Sequence, residues 1–388
     1  MFINQAFKVK HDFWRYLIGS LLVLLASIIG QFPLLIAVVF KVMQNGGEGL
    51  EDITEESMYS MLDANVFLFL MLLSFAAGFV GLFFAVKYLH KQTMTSIATS
   101  RSKLDWKRIW FTFVFWGVLS SGLVLLDYFY LSPENYMYNF EIKRFAILVV
   151  IAVALIPIQT SLEEYVFRGY LMQGFGTATK EKHFPFAFIV SIVFIPLLVI
   201  LNINYSIDTL FNTGLIAGIF LFVVLLFFIL KKIDFFESKT NDSLRNMCQR
   251  NWTPILITSV IFGGLHIANP EVGKLGYFIM IYYIGTGLFW GIMTVMDEGM
   301  ELALGFHAAN NLFTALLVTT DWTAFQTHSI LKDIAEPELG MIDLIVPVFI
   351  MYPLLLIIFS KKYKWTNWKD KLFAPIEEPP KEDYKIIE

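Results

Sequence analysis

About ten windows of roughly 20 apolar residues recur along the chain, each long enough to cross a hydrocarbon core about 30 Å thick. They fall at 16–41, 66–88, 109–131, 147–175, 184–203, 210–230, 253–270, 276–296, 301–319 and 341–360. Lipid offers no partner to a backbone N–H or C=O, so a run of this length in a bilayer must satisfy its own amides and becomes a helix. The rest of the composition agrees: 57% of residues are hydrophobic and 16% charged, against about 25% charged in soluble domains. The expectation is an all-α, polytopic transmembrane helical bundle of about ten spans, with the lipid bilayer as its first partner.

The net charge of -4 averages over loops on opposite sides of the membrane, so the basic residues of each short connection decide orientation. The segments 91–108, 180–182 and 231–250 and the tail from Lys361 are basic, whereas 42–65 is acidic and 202–209 has no basic residue. This alternation expects both termini on the cytoplasmic side. The first window, preceded by Lys8, Lys10 and Arg15, contains Gln31 and Pro33, lacks a cleavage pattern, and reads as a retained anchor. Three parts are expected: transmembrane helices over 1–145, a core over 146–320 with an inserted hairpin and loop near 184–250, and a final span with a charged tail over 321–388. One cysteine, Cys248, excludes an internal disulfide. No phosphate-binding glycine loop or basic, aromatic surface for nucleic acid is present.

Ionisable groups in hydrocarbon cost several kcal/mol and are functional by default, so their positions matter most. Glu163, Glu164 and Arg168 lie in the fourth window, His266 in the seventh, and His307 with Asn310 and Asn311 in the ninth. Asp297, Glu298 and Glu301 lie near window ends, where water is expected to reach them. At helical spacing Glu164 and Arg168 share a face and can pair, leaving Glu163 about 100° away to face a cavity. His307 and Asn311 are also four apart and could present two donors to a developing oxyanion. Phe262 and His266 have the same spacing, with Gly263 and Gly264 permitting close helix approach.

Glu163-Glu164-x-x-x-Arg168, Phe262-x-x-x-His266 and His307-x-x-x-Asn311, in this order, resemble the three motifs of the CPBP family of intramembrane proteases, also called the type II CAAX prenyl protease or Abi family. The resemblance covers about residues 147–320. It implies that Glu163 activates the attacking water together with His266, that Glu164 and Arg168 support this carboxylate, and that His307 and Asn311 stabilise the tetrahedral intermediate. The spacing departs from the family: about a hundred residues separate the first two motifs where a few tens are usual, and the 184–250 hairpin and loop look like the insertion.

The expected function is an intramembrane endopeptidase acting on peptide or protein substrates, membrane-associated, prenyl-like or leader peptides, in a bacterial inner membrane. No cofactor is favoured. If zinc is present, Glu163, His266 and His307 are its expected ligands, with water in the fourth position. A catalytically silent immunity or scaffolding protein of the same fold is the alternative, and a proton-coupled transporter the third reading, although no inverted repeat of the spans is visible.

Overall fold

A computed structural model of the chain describes residues 2–44, 55–192 and 209–380. Its principal helices are α1 (Phe13–Gln44), α2 (Ala64–Leu89), α3 (Trp106–Leu131), α4 (Ile142–Ala178), α5 (Thr209–Lys232), α6 (Trp252–Ala268), α7 (Tyr277–Asp297), α8 (Glu301–Leu317) and α9 (Ile342–Tyr363). The fold is an all-α membrane bundle. Among the described residues, the helices α1 to α4, α7 and α9, six in all, are long and apolar enough to cross a membrane. The 184–203 window runs beyond the described residues. The 301–319 window becomes a 17-residue helix, α8. A helix surrounded by protein need not match the bilayer, and α8 packs against α3, α4 and α7 with Glu301 through His307 all buried.

Small residues set the helix spacing, as they must where lipid and protein are equally apolar. The α1/α2 seam uses Gly78 and Gly81: a Cβ on Gly81 would lie 2.8 Å from the Ala26 methyl. Between α6 and α7, a Cβ on Gly263 would lie 3.0 Å from the Ile284 backbone nitrogen, and one on Gly287 2.9 Å from Ser259 Cα. Gly264, expected to help here, faces open space. The central core is aromatic, with Trp116, Phe262, Phe289, Trp290, Phe306 and Tyr352 in one buried cluster.

Long-range polar contacts sort the connections into two ends. At one end, the basic 91–108 segment meets the α7/α8 turn and the tail. Arg108 donates to Asp297 Oδ1, which also accepts from Trp365 Nε1 at 2.9 Å, while Arg101 pairs with Asp297 and Glu301. Asp297 and Glu301 are thus buried and paired, not water-facing as their place in the sequence suggested. Gln249 bonds Ile376 and Lys180 pairs with Glu378 at the same end. At the other end, Tyr59 donates to the Ala324 carbonyl and Asn65 to that of Arg144. A small sheet closes it, with β1 (Tyr136–Tyr138), β2 (Val318–Thr319) and β3 (Leu331–Asp333) in the order β1-β3-β2. Connections counted as basic therefore share one end. In the 184–250 region, Phe227 of α5 packs on His183, Phe186 and Phe236. Cys248 is buried, which pushes its thiol pKa up.

His90, just beyond α2, anchors the N-terminus. Its Nδ1 is 2.7 Å from the Lys10 carbonyl and its Nε2 2.9 Å from the Tyr170 hydroxyl. Burial lowers its pKa from 6.5 to about 4, with Arg15 adding to the effect and the hydrogen bonds opposing it. Between these values the unfolded chain takes up a proton that the folded one refuses, so stability is complete above pH 6.5 and declines as pH falls towards 4, by about 3 kcal/mol from this group. Melting of the purified protein at pH 7.5 and 4.5 checks this. The His90→Gln variant is expected to lose the His90 part of that dependence, and an unchanged pH slope in the variant would refute it.

Candidate active site

α4 delivers the first motif through a change of helix type. The helix is regular to Glu164 and π-helical over Tyr165–Leu171, a wider turn that frequently marks functional positions. Arg168 Nη1 lies 3.2 Å from Glu164 Oε1, so the expected pair forms, but within a π-helical turn rather than the α-helical spacing from which it was read. Both side chains are at most 1% exposed. Charge is matched while hydrogen bonding is incomplete: neither Nη1 nor Nη2 of Arg168 has a hydrogen-bond partner among the described residues, nor does Glu164 Oε2. Aromatic faces take up the remainder, with the guanidinium 4.2 Å from the Phe262 ring centre and 4.9 Å from that of Trp290. Such contacts are worth about 2 kcal/mol each when desolvated. Phe262, a member of the buried aromatic core, thereby also holds the arginine.

The two adjacent glutamates are held differently. Glu164 is fully buried and its Oε1 accepts from His307 Nδ1 at 2.8 Å. Glu163 keeps 14% of its side chain exposed and accepts a hydrogen bond from Gln159 Nε2 at 3.0 Å. His307 Nε2 lies 3.7 Å from Glu163 Oε2, beyond direct hydrogen bonding. His307 thus stands between both carboxylates, its ring stacked on Trp290 with centres 4.1 Å apart. Asn311, one turn along α8, sends Nδ2 to Gln159 Oε1 at 3.5 Å, and Asn310 Nδ2 donates to Asn311 Oδ1 at 3.2 Å.

His266 sits where α6 tightens into a short 3-10 turn, His266–Ala268. Its Nδ1 is 2.8 Å from the Phe262 carbonyl, an acceptor only, so this nitrogen carries a proton, and in the neutral ring Nε2 has the lone pair. The ring stacks on Tyr283, centres 4.5 Å apart, whose hydroxyl donates to Glu271 Oε1 at 2.5 Å. His266 makes no hydrogen bond or ion pair with either glutamate. It reaches the cluster through Phe262, whose ring centre is 4.6 Å from that of His266 and 6.3 Å from that of His307.

The fold therefore unites Glu163, Glu164, Arg168, His307 and Asn311 and sets His266 one aromatic ring away. Gln159, Trp290 and Trp116 join them without having been singled out in sequence; the i-4 spacing of Gln159 from Glu163 was the available signal. No group of three or more His, Cys, Asp or Glu side chains is placed to hold a metal ion among the described residues, so the set Glu163, His266 and His307 does not converge as a zinc site would require. A cavity of about 730 Å³ lies between the end of α4, residues 184–192, α6 and α7, lined by Phe175, Phe184, Ile257 and Ile261 among others and by none of these polar side chains.

Residues 241–313 match the model of the Rce1-like family, described as type II CAAX prenyl endopeptidase Rce1-like. This range contains the second and third motifs and agrees with the resemblance drawn from them; Glu163, Glu164 and Arg168 lie upstream of it. The chain is 27% identical over 311 residues to YyaK, an uncharacterised protein of Bacillus subtilis (strain 168), covering 80% of this chain and 79% of that one. No solved structure matches. With its apolar helices and this family match, the chain is an integral membrane protein.

Proposed function

We propose that this chain is an intramembrane endopeptidase that hydrolyses peptide bonds with a glutamate-activated water. The observation that carries the reading is the unequal treatment of two neighbouring carboxylates: Glu164 is sealed against Arg168 and His307, while Glu163 is partly exposed and held by a neutral amide. One is committed to a guanidinium and an imidazole; the other makes a single side-chain hydrogen bond, to an amide.

In this reading a water donates one hydrogen bond to Glu163, and the unprotonated Nε2 of His266 is an acceptor able to orient it as the substrate enters. The water oxygen attacks the scissile carbonyl carbon as Glu163 takes its proton. The carbonyl oxygen becomes an oxyanion, met by the second Nδ2–H of Asn311, the first being on Gln159, and, in the imidazolium form of the ring, by Nε2–H of His307, whose Nδ1–H is held by Glu164. Collapse breaks the C–N bond, and Glu163 returns the proton to the leaving nitrogen, giving a carboxylic acid and an amine. No metal enters any step. The proposed substrates are membrane-associated peptides, lipidated near the cut or carrying a leader, and the proposed location is a bacterial inner membrane. The family description supports an isoprenylated cysteine peptide as the first probe.

The second reading, a catalytically silent membrane binding protein, is favoured by the separation of His266 from the glutamates. Comparing membrane peptides in cells carrying the wild type and Glu163→Ala decides between them. Accumulation of uncut peptides in the variant, at equal abundance of folded protein, supports hydrolysis. Identical peptide profiles with an intact phenotype support binding.

A further inference from the structure

Four side chains on three helices form one head-to-tail run of hydrogen bonds ending on Glu163. Trp116 Nε1 donates to Asn310 Oδ1 at 3.1 Å, Asn310 Nδ2 to Asn311 Oδ1 at 3.2 Å, Asn311 Nδ2 to Gln159 Oε1 at 3.5 Å, and Gln159 Nε2 to Glu163 Oε1 at 3.0 Å. Its two ends fix its direction. An indole N–H can only donate and a carboxylate can only accept, so each amide between them has one orientation that leaves no like pair facing. Trp116 and Gln159 are buried, and the Trp116 ring is stacked on Phe306 with centres 4.2 Å apart, so the donor end is rigid.

We infer that Trp116 and Gln159 are positioning residues for the hydrolysis, with the amide run between them acting as a relay that fixes the rotamer of Glu163 and the free N–H of Asn311 together. The inference rests on the endopeptidase reading for its kinetic consequence but not for its physical one. Reversing any amide would put two oxygens or two N–H groups face to face, so the base and the oxyanion donor are oriented by one polarity set at Trp116. Each link polarises the next, so loss at one end is felt at the other. Neither residue lies in the three motifs.

Two variants test it. Gln159→Met keeps the length of the side chain without its hydrogen bonds, and Trp116→Phe keeps a ring on Phe306 without the N–H. In lipid nanodiscs with 15N-labelled tryptophan, the Trp116 indole signal, assigned by its loss in Trp116→Phe, is expected to shift in Gln159→Met; an unmoved signal overturns the relay. With an internally quenched isoprenyl-cysteine peptide, Gln159→Met is expected to lower kcat about tenfold at unchanged KM, the value of one charge-assisted hydrogen bond. Trp116→Phe should lower it about threefold by the same reasoning, and the double variant should match Gln159→Met alone. Multiplicative losses, or losses in KM with unchanged kcat, overturn it, because a merely structural role would give those. A wild type inert towards the peptide counts against the endopeptidase reading on this substrate, while the indole signal still decides the relay.

Discussion

Replacing Glu163 by glutamine is expected to lower turnover about 10²- to 10⁴-fold, the contribution of a positioned general base, while leaving the melting temperature nearly unchanged. Glutamine has the same shape and can still accept from Gln159 Nε2, so the packing and the one hydrogen bond survive. What is lost is a site able to take a proton from water. Among the described residues Glu163 makes no ion pair with an arginine or lysine, and Arg168 keeps its direct partner Glu164. Turnover of the isoprenyl-cysteine peptide by purified wild type and variant, with melting curves of both, provides the check. Equal turnover would remove Glu163 from the chemistry; an equal loss of folded protein would make it structural.

The neighbouring carboxylate is expected to behave in the opposite way. Arg168→Met should cost about 3–5 kcal/mol of stability, the penalty for stripping one partner from a buried ion pair, because it leaves Glu164 charged at 0% exposure. Methionine retains much of the stem volume, and the Phe262 and Trp290 faces lose only the cation. Glu164→Gln combined with Arg168→Met should recover most of the loss. The glutamine oxygen still accepts from His307 Nδ1, and no charge remains uncompensated. A double variant as unstable as Arg168→Met would show that the arginine acts through packing, not charge. Denaturant titration in detergent measures all three proteins.

These two predictions separate what adjacent, chemically identical residues do. Their difference was partly legible in the chain: spacing placed Glu164 with Arg168 and left Glu163 apart. It was not legible that α4 turns π-helical immediately after Glu164, because hydrogen-bond register within a helix responds to its neighbours and leaves no mark in apolar periodicity. The third motif was read as two oxyanion donors, yet His307 Nδ1 is committed to Glu164 and one Asn311 N–H to Gln159. Side chains within one helix can be paired by counting fours, whereas these bonds cross between α4 and α8, 143 and 152 residues apart. The acidic α7/α8 turn was misjudged for a related reason. Position near a span end suggested water, but Arg101, Arg108 and Trp365 arrive from distant segments and seal Asp297 and Glu301.

The chain alone determined that this is a membrane helical bundle, which residues are costly enough in lipid to require a purpose, and the three motifs that link it to a protease family. Those follow from local composition and from the energetics of transferring backbone and charge into hydrocarbon. Only the tertiary structure decided which carboxylate is sealed and which is open, that His266 stands behind Phe262, and that an indole N–H on α3 is wired to a carboxylate on α4. Short-range polar contacts depend on where helices far apart in sequence come to lie, and the small residues and aromatic packing that set those positions act collectively, not residue by residue.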